Sequence, residues 1–410
     1  MRIIFQGDKI VSGTSAYTKV GYETCTRLAK MGHNIAHIPM GRANQMGKYG
    51  FGNVLIYPSG NDAFGEDASL QHYHDFNADM LVTIKEPWCF SHVFRYCMNF
   101  VPMAIIDHEP VSSAIIARLT TAYKIIAISR FGQLELKKHN MDSEYIPHGV
   151  RTDLYKKLPD KAEYKKLFGL DPDAFVVLLI ARNQVRKMIP RQLRGFKRFV
   201  ELNPDVKIQM LLWTPIQPTS PVDSVLGVSD VGVNLLPEIM QLGLNENLVW
   251  PKWADVEKIG GLPESDPQGM WDMVRLYNCA DAHVLCSGGE GAGLPYLEAS
   301  ACEVPTMGTD YAGAPEYIGP GQAIPYSDYA VNNTPGVRYV KVDIDKMAEG
   351  LTKILNGNPE KMGRKARRHA EQFDWNIIMD RYWKTFLEKC ETELYPLVTS
   401  SGTKSWSVNQ

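Results

Sequence analysis

The sequence predicts an α/β protein with two Rossmann-like domains that face each other across a cleft. With 410 residues, the chain is too long for one ordinary hydrophobic core. A strand, a glycine-rich turn, a helix and a second strand open the chain, and a second series of this kind begins near residue 175. Such units form parallel sheets, and ligands bind at the carboxyl ends of their strands.

The first series predicts a domain of residues 1–155. It opens with an apolar segment, a turn rich in glycine and serine, and a helix that ends at Gly32. Ser129 is placed to cap a later helix. The predicted strands are residues 3–5, 34–38, 80–84, 103–106, 125–128 and 145–146.

The second series predicts a domain of residues 156–374, which starts with a charged linker and a short helix. Its predicted strands are residues 175–180, 206–213, 247–250, 282–285, 305–307 and 337–342. Its predicted helices are residues 192–200, 270–277 and 294–302, and a helical region follows from residue 344 to about residue 394. We expect the Ser/Thr-rich tail, residues 399–410, to be disordered.

Composition limits the classes of function. The formal charge of −2 provides no general attraction for nucleic acid or anionic lipid. The seven cysteines are scattered without a C-x-x-C pair, which favours a reducing compartment over a disulfide framework or a zinc site. The chain has no run of about 18 apolar residues. Its apolar start is too short for a signal peptide. We therefore expect a cytoplasmic protein with at most peripheral membrane contact.

The segment from Cys286 to Glu298 has the clearest chemical pattern in the chain. Four glycines make the backbone after a predicted strand thin and permit positive φ: Gly288, Gly289, Gly291 and Gly293. Leu294 then begins a helix, and Pro295 suits its first turn because proline lacks an N–H group. The free N–H groups and the dipole of such a helix start would hold a phosphate group.

Two carboxylates, Glu290 and Glu298, flank this predicted anion site. A phosphate repels a carboxylate, so the pair is favourable where hydroxyl groups donate hydrogen bonds to it. Ribose and hexose hydroxyls are suitable donors. The pattern therefore predicts a diphosphate with a sugar on either side. The alternative is a helix-start loop whose acidic side chains are merely solvated.

Cations follow the first strand of the second domain, where the fold places ligands. Arg182, Arg186 and Lys187 lie just beyond residue 180. Arginine binds phosphate oxygens in bidentate fashion and lysine acts as a point charge, so these side chains could neutralise a diphosphate. A basic loop without a ligand is the alternative. The Asp-x-Asp pairs at residues 171/173 and 343/345 resemble a turn and a helix cap, so we expect no metal site.

Four further groups of residues are candidates in the first domain. Asp107 and His108 follow a predicted strand and could bind the acceptor hydroxyl or the donor sugar, or Asp107 could merely stabilise a turn. Gly13, in the first strand–helix turn, could approach the donor phosphate or serve only the turn. Aromatic and basic residues could bind a polymer: Lys85, Trp88, Arg95 and Tyr96. Residues 90–103 could touch lipid, although core packing is the alternative for both segments.

Several motifs in the expected order resemble glycosyltransferase family 4. The family pattern E-G-F-G-L-P-x-L-E-A is matched by residues 290–299, with Ala292 in place of the usual aromatic residue. Four more segments and one spacing match: residues 127–131, 145–150, 276–281 and 373–375, and the spacing from Arg182 to Lys187. The resemblance spans nearly the whole chain. The change at Ala292 leaves the choice of donor open.

The resemblance implies a GT-B fold and a retaining, metal-independent hexosyltransferase that uses a nucleoside-diphosphate sugar such as GDP-mannose or UDP-glucose. The first domain would bind the acceptor, and residues 375–398 would form a terminal helix that crosses back to it. Glu298 would bind the donor ribose and Glu290 the donor sugar. The implied diphosphate contacts are Arg182, Lys187, Gly291, Gly293 and Leu294. Asp107 or His108 would lie near the reacting centre.

Two other functions remain open at this point. A nucleotide-sugar epimerase with the same architecture would need no acceptor. A non-catalytic protein could bind the nucleotide sugar without transferring it. The sequence does not identify the base, the sugar or the acceptor, which could be a glycan, a lipid-linked molecule or another hydroxyl compound. It implies no cofactor besides the donor substrate.

Overall fold

The structure is a computed structural model that describes residues 1–12, 15–41, 47–90, 98–217, 232–252, 267–332 and 337–396. Within these ranges the chain forms two large sheets covered by helices and a separate two-stranded hairpin. The alternation of strands and helices in the sequence predicts this architecture.

The first sheet contains eight strands from the first 145 residues. They are β1 (Arg2–Gly7), β2 (Asn34–Pro39), β3 (Tyr49–Phe51), β4 (Val54–Ile56), β5 (Met80–Ile84), β6 (Phe100–Ala104), β7 (Ile126–Ala127) and β8 (Glu144–Tyr145). The order across the sheet is β3-β4-β2-β1-β5-β6-β7-β8, and only β3 and β4 pair in antiparallel fashion. The accompanying helices are α1 (Ala16–Lys30), α2 (Glu66–Asp75), α3 (Ser113–Leu119) and α4 (Arg130–Lys137).

Local sequence explains where two of these helices begin. The Ser15 hydroxyl accepts a hydrogen bond from the Thr18 amide at 3.0 Å and caps α1. The Ser129 hydroxyl accepts one from the Gly132 amide at 3.1 Å and caps α4, so the predicted cap is confirmed. Gly32, with φ of 96°, follows the end of α1 in a conformation that favours glycine.

The second sheet has six parallel strands. They are β9 (Phe175–Ile180), β10 (Ile208–Trp213), β11 (Leu248–Val249), β12 (Ala282–Leu285), β13 (Thr306–Thr309) and β14 (Gln322–Ile324), in the order β11-β10-β9-β12-β13-β14. The helices are α5 (Lys161–Leu167), α6 (Ile189–Leu202), α7 (Leu236–Gln241), α8 (Pro267–Asn278), α9 (Leu294–Ala301), α10 (Ala314–Ile318), α11 (Ile344–Leu355) and α12 (Pro359–Glu371). Because β9 and β12 are neighbours, the loops after these two strands lie side by side.

A separate hairpin follows the second sheet. Its strands are β15 (Tyr326–Asn332) and β16 (Val337–Val342), which pair with each other in antiparallel fashion. The prediction that residues 337–342 continue the main strand series is therefore wrong. A strand pattern shows that a segment is extended, but it does not say which partner supplies the hydrogen bonds.

The chain after Asp374 packs on the first domain. It forms α13 (Trp375–Ile378), a π-helical turn (Met379–Trp383) and α14 (Lys384–Leu394). The Val150 amide donates to the Phe373 carbonyl at 2.8 Å where the chain returns. The buried ring of Trp383 meets the ring of Phe5 at 6.1 Å, and Lys389 pairs with Glu144. Residues 397–410, which include the predicted disordered tail, lie outside the described residues.

Candidate functional site

The glycine-rich loop after β12 leads directly into α9, as the sequence predicts. Gly293 precedes the helix with φ of 82°, and Pro295 lies in its first turn. Because glycine stands at the cap position, no side chain caps the first turn, and the helix start has N–H groups to offer a ligand. Two backbone hydrogen bonds tie Gly288 to its surroundings: its amide donates to Arg186 at 2.7 Å, and its carbonyl accepts from Val340 at 2.9 Å.

Glu290 is buried in this loop and is surrounded by donors. Its Oε1 atom accepts hydrogen bonds from the ammonium group of Lys187 and from the Ser287 hydroxyl, the latter at 2.5 Å. Arg186 donates to its Oε2 atom at 3.4 Å. Burial by itself would raise the pKa of Glu290, but the charges of Lys187 and Arg186 hold the pKa below its ordinary value. Glu290 is therefore a carboxylate at neutral pH.

Glu298 lies one turn along α9 and is also buried. Tyr277 donates its hydroxyl to the Oε2 atom at 2.7 Å. Lys19, which belongs to α1 of the first domain, places its Nζ atom 3.0 Å from the Oε1 atom. The Lys19 ammonium also lies 3.4 Å from the Tyr155 hydroxyl. Glu298 is thus a carboxylate at which the two domains meet.

Asp107 and His108 approach the same loop from the first domain. The Oδ1 atom of Asp107 is 2.5 Å from the Nδ1 atom of His108, and the Oδ2 atom is 3.9 Å from the Nε atom of Arg186. Burial would raise the pKa of Asp107, but the hydrogen bond with His108 and the charges of His108, Arg186 and Lys187 lower it. The Nε2 atom of His108 is buried and has no hydrogen-bond partner among the described residues.

The structure brings most of the predicted site residues together around the glycine loop. Asp107, His108, Lys187, Glu290 and Glu298 are all largely enclosed, together with Gly291 and Leu294. Arg182 is exposed, and its side chain makes no hydrogen bond or ion pair with any other described residue. Gly13 lies outside the described residues.

Four contacts were not apparent from the sequence. Arg186 rather than Arg182 reaches Glu290 and Asp107, because the turn Val185–Lys187 directs residues 186 and 187 toward the glycine loop. Lys19 and Tyr277 reach Glu298 from α1 and α8. Lys19 is 279 positions from Glu298 in the chain, so no local spacing could reveal the pair.

The glycines of the loop permit close approach between the domains. A Cβ atom added at Gly289 would collide with the carbonyl oxygen of Asp107, and one at Gly291 would lie 2.8 Å from the Cγ2 atom of Ile105. Tyr339 of β16 lies against the same loop, and its ring meets the ring of His108 at 6.1 Å. The hairpin also reaches the first domain, where the Arg338 amide donates to the Glu109 carbonyl at 3.2 Å.

This geometry predicts that Gly289→Ala destabilises the protein by about 1–3 kcal/mol, because the added methyl group meets the Asp107 backbone. Chemical denaturation of the variant and the wild type measures the difference. The control is Gly50→Ala, since a Cβ atom at Gly50 would meet nothing within 4 Å. Equal stability of the two variants would contradict the close approach of the domains at Gly289.

Two absences apply only to the described part of the chain. It contains no group of three or more His, Cys, Asp or Glu side chains arranged to hold a metal ion. None of its helices combines the length and apolar character needed to cross a bilayer.

Part of the chain is similar to proteins described as glycosyltransferases. Residues 267–371, which include the glycine loop and both glutamates, match the family model described as "Glycosyl transferases group 1". Two curated relatives are the D-inositol 3-phosphate glycosyltransferases of Mycobacterium sp. (strain KMS) and Actinosynnema mirum. They are 27% and 26% identical over 238 and 234 residues, which are 57% and 56% of this chain. The matched regions span 45% and 48% of these relatives, about half of their length.

Solved structures resemble nearly the whole chain. Sucrose-phosphate synthase from Thermosynechococcus elongatus has a TM-score of 0.67 at 14% identity, over 95% of this chain and 99% of that one. Anabaena Alr3699/HepE in complex with UDP-glucose has a TM-score of 0.65 at 15% identity, over 95% and 100%. At these identities the likeness shows the fold. The predicted GT-B fold and the predicted resemblance to glycosyltransferases are confirmed.

Proposed function

We propose that this protein is a retaining glycosyltransferase of family 4. It moves a hexosyl unit from a nucleoside-diphosphate sugar, such as GDP-mannose or UDP-glucose, to an acceptor hydroxyl. One observation carries the proposal: Glu290 and Glu298 lie on either side of the α9 start, and Lys187 and Arg186 contact Glu290. We place the reaction in the cytoplasm.

The charges suggest how a diphosphate is accommodated. Lys187 and Arg186 lie against two carboxylates, Glu290 and Asp107, so these four groups are close to neutral together. Arg182, exposed at the beginning of the same loop, is a further cation that the incoming phosphates can recruit. The amide groups at Gly293 and Leu294 add the partial positive charge of the helix start.

The sugars then fall on either side of the diphosphate. Each carboxylate oxygen accepts about two hydrogen bonds, so Glu298 keeps capacity for ribose hydroxyls beside Tyr277 and Lys19. Glu290 keeps capacity for hydroxyls of the donor hexose in the same way. Asp107 holds the Nδ1 side of the His108 ring, which leaves the Nε2 atom to hydrogen-bond a sugar hydroxyl near the reacting carbon.

In this scheme the acceptor oxygen attacks the anomeric carbon on the face from which the diphosphate leaves. The bond from the anomeric carbon to the phosphate oxygen breaks, the new glycosidic bond forms, and the acceptor proton passes to the leaving phosphate. No side chain has to act as a base. Catalysis therefore consists of positioning and of stabilising the charge on the leaving group.

The comparisons support the class of donor and the type of reaction more than they support any particular acceptor. One structural neighbour is described as bound to UDP-glucose, and the curated relatives are named for transfer to an inositol phosphate. For this chain we propose only a hydroxyl acceptor, and neither a nucleic acid nor a membrane-embedded partner. A thermal-shift screen of nucleotide sugars tests donor binding, because a bound donor raises the unfolding temperature by mass action. No shift with any nucleotide sugar would argue against the proposal.

Metal independence gives a separate prediction. The cations Arg186, Lys187 and Arg182 and the start of α9 supply the positive charge that a divalent ion would otherwise provide, so activity should persist in excess EDTA. The measurement is the initial rate of nucleoside-diphosphate release with and without the chelator. Loss of activity on chelation, with recovery on adding Mg²⁺ or Mn²⁺, would contradict this prediction.

A further inference from the structure

An exposed tryptophan lies at the ligand-binding edge of the first domain, outside the site described above. Trp88 is part of a short 3₁₀ turn, Pro87–Cys89, that directly follows the carboxyl end of β5. Ligands of parallel sheets bind at this edge. The indole is 37% exposed, although exposure alone is common for single surface side chains.

The turn that presents Trp88 is firmly held. Cys89 and Phe90 on its inner side are buried, and the Phe90 carbonyl accepts a hydrogen bond from Arg118 at 3.0 Å. The ring of Phe64 meets the indole edge-on, with 6.5 Å between ring centroids. The backbone of the turn and the ring of Phe64 therefore hold the Trp88 indole in place.

A carboxylate with spare acceptor capacity lies two residues before Trp88 in the chain. Glu86 precedes the turn, and its Oε1 atom accepts the Tyr17 hydroxyl at 2.5 Å. Its Oε2 atom has no hydrogen bond to another described residue. Lys85 lies over the Tyr17 ring at 4.3 Å and pairs with Asp8 at 3.1 Å, which fixes Tyr17 and, through it, Glu86.

The same group of residues faces the second domain. Tyr17 lies in the first turn of α1, two residues before Lys19, whose Nζ atom is 3.0 Å from the Oε1 atom of Glu298 in the second domain. Tyr17, and Glu86 through its hydrogen bond with Tyr17, therefore lie at the end of α1 that meets the second domain.

We propose that Trp88 and Glu86 form the acceptor subsite and bind a six-membered polyol ring, either a pyranose or a cyclitol. The apolar C–H face of the ring stacks on the indole, and one ring hydroxyl donates to the Oε2 atom of Glu86. Ligand sites of this kind combine an aromatic surface with a few placed polar groups. The inference rests on the proposed transferase function, because it supplies the acceptor for that reaction.

The neighbouring segment, residues 90–103, was predicted either to touch lipid or to pack in the core. Arg95 and Tyr96 lie outside the described residues. Phe90, Met98 and Met103 are buried, which is what core packing predicts for the segment from residue 90 to residue 103. Trp88 is the described aromatic residue of this region that remains open to a ligand.

Binding can be tested without catalysis, using the full chain labelled with 5-fluorotryptophan. The eight tryptophans give eight ¹⁹F signals, and Trp88→Phe assigns the one from Trp88. The probes are the methyl glycosides of glucose, galactose and mannose, and myo-inositol, each added with UDP or GDP present. We expect at least one probe to shift the Trp88 signal and to leave the signal of Trp271 unchanged. Trp271 is 41% exposed and serves as the matched control.

The kinetic readout separates this subsite from the donor site. Trp88→Ala should raise KM for the bound polyol about tenfold and leave hydrolysis of the nucleotide sugar by water unchanged. Glu86→Gln should weaken binding of the same polyol, whereas Trp88→Phe should keep most of the affinity for it. Trp271→Ala should change neither rate.

Several results would overturn the inference. One is a Trp88 signal that no probe moves, or that moves together with the Trp271 signal. Another is an equal loss of donor hydrolysis and transfer in Trp88→Ala. A third is loss of binding to phosphatidylcholine–phosphatidylglycerol vesicles on Trp88→Ala without any polyol effect, which would indicate a membrane contact. Failure of the proposed function would be seen separately, because no nucleotide sugar would then bind in the thermal-shift screen. The ¹⁹F titration would still report whether a polyol binds at Trp88.

Discussion

Lys187→Ala should lower turnover on the order of 100-fold, the effect of removing one preorganised donor to a developing negative charge. Lys187 is buried and its ammonium contacts Glu290, so the substitution removes a cation beside the proposed diphosphate. It also leaves Glu290 with Arg186 and Ser287 as its remaining side-chain partners among the described residues. Steady-state kinetics with a saturating donor measure the loss.

A second variant separates two roles of Lys187. If Lys187 serves only to neutralise Glu290, then adding Lys187→Ala to Glu290→Gln should cause no further loss of turnover. If Lys187 stabilises the leaving group, the double variant should be slower than Glu290→Gln alone by on the order of 100-fold, and this is the result we expect. Lys346→Ala is the matched control, because Lys346 is exposed and pairs with Glu349 of its own helix. Unaltered kinetics in Lys187→Ala would place the essential cation elsewhere.

Glu298→Gln should weaken donor binding by about 1.5–3 kcal/mol, the usual contribution of a hydrogen bond to a charged group. This corresponds to a Kd raised roughly 10- to 150-fold. The amide keeps the size of the side chain, but it removes the negative charge and replaces one acceptor oxygen with a donor. Calorimetric titration with the nucleoside diphosphate measures the change.

Glu298 also pairs with Lys19 across the domains, so its effect on donor binding needs separation from that contact. Lys19→Met removes the ion pair and leaves the carboxylate in place. We expect it to cost less donor affinity than Glu298→Gln, and we expect Glu349→Gln on the exposed face of α11 to cost none. An unchanged Kd in Glu298→Gln would remove this residue from the donor site, and equal losses in the two variants would assign the effect to the domain contact.

The α/β architecture with two parallel sheets could be predicted because strongly apolar strands alternate with helices along most of the chain. Residues 175–180 and 282–285 were predicted with the bounds that β9 and β12 have in the structure. The strands β3 and β4 were not predicted. Each has three residues, and only a short turn separates them, so neither strand is long enough to show a periodic pattern. For the hairpin β15–β16, the strand at residues 337–342 was predicted but its pairing partner was not. The apolar pattern of β16 is like that of a strand in the main sheet, whereas β16 pairs with its neighbour in the chain, β15.

The site was predictable where its residues are close in sequence. The glycine loop, Glu290 and Glu298 belong to one continuous segment whose spacing reflects one strand end and one helix start. The partners of the glutamates could not be predicted in the same way. Lys19 comes from another domain, and the choice between Arg182 and Arg186 depends on the direction of a 3₁₀ turn.

We expect the protein to transfer a hexosyl unit with retention of the anomeric configuration. The most direct measurement is an NMR analysis of the products formed from UDP-α-glucose or GDP-α-mannose, with and without methyl glycosides or myo-inositol as acceptors. We predict a new α-glycoside together with one nucleoside diphosphate for each bond formed, and only slow hydrolysis without an acceptor. A β-configured product would contradict retention. Epimerisation of the nucleotide sugar in the absence of any acceptor would contradict transfer itself.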